Sequence, residues 1–186
     1  MAPRLILASS SPRRARILES LGLRFEIRPA DVDETVRPGE SPKAAVRRLA
    51  RAKALIHGGK ANCVIAADTV VVLGSRILGK PRDRAEARSM LKDLSGRAHT
   101  VATGVAICWG GRMASVVDLT KVRFRRMSRA EIERYVRTGE PLDKAGAYHV
   151  EGGGAAFIEA IHGSPSNVAG LSVTTVLRLL KRAGVL

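Results

Sequence analysis

The chain has 186 residues, of which 45% are hydrophobic and 3% aromatic. That suffices for one substantial core, and no apolar run approaches the roughly 20 residues of a membrane-spanning helix. Lys and Arg outnumber Asp and Glu by 32 to 17, a formal net charge of +15, which attracts polyanions in general. The arginines are scattered, without runs of five or interleaved aromatics, which speaks against a single-strand nucleic-acid platform and for a solvated basic surface.

Leu5–Ala8 reads as a buried strand, followed by serines and a helix from Pro12 to Leu21 that Gly22 closes. Hydroxyls and a helix amino end then converge on one point, an arrangement suited to phosphate. The opening MAPRLILASSSPRR runs straight into this helix without a small-residue cleavage pattern, so no leader is expected. Phe25–Arg28 reads as a short strand and DVDETVRPGE (31–40) as a loop, before Ser41 and Pro42 start a second helix. Val46, Leu49, Ala50 and Ile56 form its core-facing stripe. Lys53 falls on the same stripe and must either snorkel past the edge or meet a negative partner in a cleft.

Cys63–Leu73 (CVIAADTVVVL) is the most apolar strand, and Asp68 sits in its middle. A carboxylate there is costly unless paired, hydrogen-bonded or metal-bound, so a catalytic role is expected over a local turn cap. Cys63 and Cys108 lie in apolar strands without ligand spacing and read as reduced, buried thiols, in keeping with a cytoplasmic setting.

Gly74–Ser75 suggests a hairpin to Ile77 and Leu78, followed by Gly79-Lys80-Pro81 and a helix over 83–94. Thr100–Trp109 and Met113–Phe124 read as long antiparallel strands joined at Gly110–Gly111, which makes the sheet mixed. Ser128 and Glu131 form a capping box for a helix through Ile132, Tyr135 and Val136, ending near Gly139. A glycine-rich stretch (143–163) precedes a last helix, Leu171–Arg182, with Val173, Val176, Leu177 and Leu180 on one face. Strands alternating with helices give an α/β class, read as a single domain over 1–186.

The common nucleotide and hydrolase signatures are missing. Gly79-Lys80 is followed by proline rather than Ser or Thr, no GxGxxG follows a strand, and the glycines at 152–154 are too generic to count. The four histidines show no HExxH spacing, and no GxSxG elbow is present. What remains is Arg13, Arg14, Lys53 and Lys80 beside Asp31, Asp33, Glu34 and Asp68. Such cations clamp a polyphosphate, while one or two carboxylates hold magnesium, which suits water attack on a phosphoanhydride.

LASSSPRR, DVDE, AADTVV, LGKP, HTVATGVAI, DKAGAY and NVAGLSV, in this order along nearly the whole chain, resemble the Maf family of nucleotide pyrophosphatases. The resemblance implies a Maf/Ham1 (ITPase-like) fold, a mixed twisted sheet with flanking helices and two lobes around a central cleft. It also implies a homodimer, in the cytoplasm, that cleaves a nucleoside triphosphate to monophosphate and pyrophosphate with a divalent cation, Mg2+ or Mn2+. No membrane or specific nucleic-acid partner is expected.

On the matching positions Asp68 would accept the proton of the attacking water, with Lys53 and Lys80 as catalytic cations. Ser9 and Arg14 would bind phosphates with them, and Glu34, Asp33 and Asp68 would hold the metal. Arg13, Thr69 and Glu151 match the family's base-selecting positions. The first two resemble the branch that prefers dTTP and UTP, where the third position is usually glutamine; glutamate there resembles the 7-methyl-GTP branch. Glutamine offers a donor and an acceptor, whereas a carboxylate only accepts. Pyrimidine triphosphates and 7-methyl-GTP therefore both stand as expected substrates. The rivals are a basic, non-enzymatic regulator of septum formation that binds nucleic acid or a protein, and a phosphatase that releases orthophosphate.

Overall fold

The computed structural model describes residues 4–186; Met1–Pro3, at the start of the stretch read for a leader, lie outside them. Seven strands make one mixed sheet: β1 (Arg4–Leu7), β2 (Glu26–Ile27), β3 (Asn62–Leu73), β4 (Arg76–Leu78), β5 (Ala98–Trp109), β6 (Arg112–Phe124) and β7 (Ile158–His162). Their order is β2-β1-β3-β5-β6-β7, with β4 paired to β3. The α-helices are α1 (Pro12–Ser20), α2 (Pro42–Ile56), α3 (Arg84–Leu94), α4 (Arg129–Arg137), α5 (Pro165–Val168) and α6 (Val173–Arg182). The expected α/β class is observed. Backbone contacts divide the single expected domain into two compact units: one runs through Thr69 and includes Thr103–Asp118 and Gly170–Leu186, the other comprises Val70–Ala102 and Leu119–Ala169.

In the first unit β1 pairs in parallel with both β2 and β3, with Leu7 opposite Ile65. The Ala8 amide donates to the Ile65 carbonyl at 2.8 Å, so Ser9 leaves the sheet just beyond this rung. Helix α2 buries Ala45, Val46, Leu49, Ala50, Lys53 and Ala54, as its periodicity requires. Ile56, expected on that stripe, is 54% exposed, because it is the last helical residue and the chain turns off at His57. Gly104 on β5 explains how closely this helix seats: a Cβ there would stand 2.2 Å from the Val46 carbonyl oxygen. Backbone meets backbone, and the position of Lys53, two turns further along α2, follows from it.

The Gly110–Gly111 turn has φ of +52° and +77°, the pair of positive values a two-residue hairpin turn demands. Helix α6 buries Thr175, Val176, Leu179 and Leu180, while Val173 and Leu177 are only half-buried. Two neighbouring stripes share Val176 and Leu180, so spacing alone did not separate them, and the observed face is rotated from the expected one. Both cysteines are free and buried in this unit.

The second unit packs Leu78, Met90, Leu91, Leu94, Phe124, Val136, Tyr148 and Phe157 into its core. Helix α4 has the expected capping box, with Ser128 and Glu131 each satisfying the other's backbone amide. Gly146, at φ +69°, approaches Val71 so closely that a Cβ would meet its side chain at 2.8 Å. Its amide donates to the Gly79 carbonyl at 3.0 Å, which ties the DKAGAY segment to the turn that carries Lys80.

Candidate active site

In the first unit, α2 and β3 bring Lys53 and Asp68 together. Lys53 Nζ donates to Asp68 Oδ1 at 2.7 Å, and both residues are 7% exposed. Two charges with so little water are tolerable only because each satisfies the other. Lys53 therefore does not snorkel; it has the negative partner its position called for. Burial pushes the Asp68 carboxyl above its ordinary range, against the opposing pull of Lys53 and Arg14. A carboxylate shifted toward neutrality is a better proton acceptor than a fully solvated one. Lys53 Nζ also lies 2.5 Å from Glu34 Oε1, whose side chain is 59% exposed, so this loop carboxylate reaches in from solvent.

Around the end of β1, Arg14 on α1 organises a second cluster. Its Nε donates to the Gly170 carbonyl (2.9 Å), Nη1 to Ser9 Oγ (3.0 Å) and Nη2 to Thr69 Oγ1 (3.2 Å). The Ser11 amide also donates to Ser9 Oγ, at 3.2 Å. Burial pushes the guanidinium below its ordinary value while Asp68 pulls it back up; a guanidinium remains charged regardless. Thr69 is joined at 3.0 Å to Thr103 Oγ1, a hydroxyl with no solvent exposure. The first unit thus holds two fixed cations, a carboxylate with a raised pKa, and hydroxyls at the amino end of α1.

The other expected site residues fall elsewhere. Asp33 Oδ1 accepts the Thr35 amide at 2.9 Å in a local turn, and Asp31 stays exposed. Arg13 is half-buried on the first turn of α1. Lys80 and Glu151 belong to the second unit, where both are exposed. No trio of His, Cys, Asp and Glu among the described residues is arranged to hold a metal. Glu34 and Asp68 both reach the Lys53 ammonium, so two carboxylates converge there; a magnesium-type ion takes one or two carboxylates and completes its shell with water and phosphate.

Sequence reasoning missed Thr103, because a threonine in a strand carries no signal of its partner. It also missed Glu140, whose carboxylate accepts the Tyr135 hydroxyl (2.8 Å) and the amides of Gly153 (3.2 Å) and Gly154 (3.4 Å). The generic-looking triple glycine is thus the part of the chain that closes around Glu140.

A family model described as Maf-like protein matches residues 4–183. The chain belongs to the Maf family. Among its Maf relatives, a protein of Anaeromyxobacter dehalogenans (strain 2CP-1) named dTTP/UTP pyrophosphatase is 54% identical, over 99% of this chain and 96% of its own length. Proteins with the same name from Myxococcus xanthus (49% identical; 97% and 93% covered) and Aquifex aeolicus (45%; 98% and 97%) are also similar. Among solved structures, a HAM1 protein from Coxiella burnetii superimposes with a TM-score of 0.53 at 18% identity, over 97% of this Maf chain and all of the other. That likeness supports the fold alone, and it agrees with the Ham1-like expectation.

Proposed function

We propose that this chain is a nucleoside triphosphate pyrophosphatase that hydrolyses dTTP and UTP to the monophosphate and pyrophosphate. The buried Lys53–Asp68 pair carries the reading, in a chain 54% identical to a protein named for that activity. Asp68, raised toward neutrality by burial, takes the proton of the water that attacks the innermost phosphorus. The bond to the bridging oxygen then breaks, and pyrophosphate leaves. Lys53 keeps Asp68 ionised between turnovers and offsets phosphate charge. Arg14, preoriented by Gly170, Ser9 and Thr69, supplies a rigid planar donor set for phosphate oxygens. Lys80 is assigned a further phosphate contact, and Arg13, Thr69 and Glu151 base recognition, on the family resemblance.

A divalent cation held by Glu34 and Asp68 would supply charge neutralisation on the phosphate oxygens. Asp33, engaged in its own turn, is a weaker candidate ligand. A homodimer in the cytoplasm accompanies this reading, again on the resemblance.

Product analysis tests the proposal. Incubation with UTP or dTTP and Mg2+ should yield monophosphate and pyrophosphate, and EDTA should stop the reaction until Mg2+ is restored. Asp68→Asn should abolish release while the protein stays folded. Orthophosphate as the first product would establish the phosphatase instead. Steep salt-dependent DNA or RNA binding without nucleotide turnover would establish the basic regulator. Because Glu151 is a carboxylate, 7-methyl-GTP belongs in the substrate panel, and turnover of it alone would move the assignment to that nucleotide.

A further inference from the structure

We infer that Arg48 is a positioning residue for the reaction: through Glu40 and the Thr35 carbonyl it fixes the loop that carries Glu34, so that this carboxylate meets Lys53. The inference rests on the reading of Glu34 as a working group of the site and deepens it by naming what holds that group in place. Glu34 needs such a support. It lies in a stretch, residues 31–37, that belongs to no helix or strand, and its side chain is 59% exposed although Oε1 lies 2.5 Å from Lys53 Nζ. A loop carboxylate of this kind keeps one geometry only if its backbone is tied to something rigid.

Arg48 supplies the tie. It stands on α2, the helix that also carries Lys53, and its guanidinium forks onto Glu40, with Nε donating to Oε1 at 2.7 Å and Nη2 to Oε2 at 2.8 Å. Nη2 donates as well to the Thr35 carbonyl at 3.0 Å. The Thr35 amide is held from the other side, by Asp33 Oδ1 at 2.9 Å. Both polar groups of the Thr35 backbone are therefore engaged, and Thr35 follows Glu34 directly. Glu40 closes the far end of the loop: its Oε2 accepts the Arg37 amide at 3.1 Å, and its own amide donates to the Arg37 carbonyl at 3.0 Å.

The pair is sheltered enough to act as an anchor. The Arg48 and Glu40 side chains are 23% and 10% exposed, whereas the loop from Asp33 to Gly39 is exposed throughout; a two-pronged contact with little water is stiffer than the usual surface ion pair. One helix thus fixes both ends of the Lys53–Glu34 contact, the ammonium directly and the carboxylate through Arg48. Lysine at this position would keep the charge and lose the fork. The same frame gives Asp33 a task that needs no metal: its carboxylate orients Thr35, and so the residue before it.

Hydrogen–deuterium exchange and a double-mutant cycle test the inference together. Arg48→Lys and Glu40→Gln are each made in the wild-type chain and in Glu34→Gln, with folding checked by thermal melting; Glu40→Gln weakens the fork from its acceptor side and serves if Arg48→Lys does not fold. Without nucleotide or metal, either change should speed exchange of the amides at 33–37 by roughly tenfold or more while α2 stays protected. With UTP and Mg2+, either should lower kcat by roughly 10- to 100-fold, the cost of a misplaced group, and leave the KM for UTP within about twofold, since Arg14 keeps its own anchors. On top of Glu34→Gln the same changes should cost no more than about twofold. Unchanged exchange in both variants, equal losses of kcat in both backgrounds, or a Glu34→Gln enzyme as fast as wild type would overturn the inference. If wild type releases no pyrophosphate from any nucleotide, the proposed function falls and exchange alone judges Arg48; if it releases pyrophosphate and the coupling is missing, only the role of Arg48 falls.

Discussion

Lys53 Nζ and Asp68 Oδ1 are 2.7 Å apart, one on a helix and the other in the middle of the most apolar strand, and both are almost closed off from water. Removing one partner leaves the other charge stranded. Lys53→Met should destabilise the fold by about 3–5 kcal/mol, the usual cost of breaking a buried pair from one side. Asp68→Asn, which keeps shape and hydrogen bonding, should cost less stability but lower kcat by about 100-fold or more. Urea denaturation and pyrophosphate release, measured on the same preparations, separate the two effects.

The direction of the Asp68 shift sets two pH dependences. The folded-state pKa lies above the unfolded value of 3.8, so the native chain binds this proton more tightly. Asp68 therefore favours folding below 3.8, and that contribution is lost as pH rises through its raised pKa. Wild type should lose stability relative to Asp68→Asn over this window. Activity runs the other way, since only the ionised carboxylate accepts a proton: kcat/KM should climb with pH across the same range. Glu40 opposes the stability trend. Held down to about 2 by its hydrogen bonds from Arg48, it contributes above 4.5 and loses that contribution as pH falls toward 2.

Arg14 bridges Ser9, Thr69 and Gly170 with three different nitrogens, a geometry that lysine cannot reproduce. Arg14→Lys should raise KM for the triphosphate and lower kcat/KM by roughly 10- to 100-fold, the worth of one or two charge-assisted hydrogen bonds. A variant with unaltered KM and kcat would remove Arg14 from phosphate binding.

Gly104→Ala should be among the most damaging small substitutions in the chain. The added Cβ would meet the Val46 carbonyl oxygen at 2.2 Å, and a backbone carbonyl, unlike the end of a flexible side chain, gives way only when the helix that carries it shifts. A loss of about 3 kcal/mol is expected, at the upper end of overpacking costs, accompanied by lower activity because Lys53 rides on the displaced helix. Thermal melting and turnover should fall together.

Asp68 and Lys53 were legible because each is a charge in an apolar pattern, a local contradiction visible without any partner. The turn after β1 was legible for a similar reason, since strand, serines and proline announce a helix start in a few residues. Thr103 and Glu140 were not. Their significance lies in a cross-strand hydroxyl contact and in a loop that closes on itself, and neither has a period or a spacing. Gly104 looked like an ordinary strand residue until its distance to α2 was known. The misread face of α6 and the exposed Ile56 have a common origin, because periodicity defines a stripe but not where along or around the helix its neighbours stop.

Cys63 and Cys108 give this protein an internal reporter. They are its two cysteines, both sealed inside the first unit, and burial holds the Cys63 thiol up at about 11, where almost none is thiolate at neutral pH. Alkylating reagents should find them only when that half of the chain opens. The rate of labelling would then read the opening of the half that carries Asp68 and Lys53, while the other half, which lacks any thiol, stays silent.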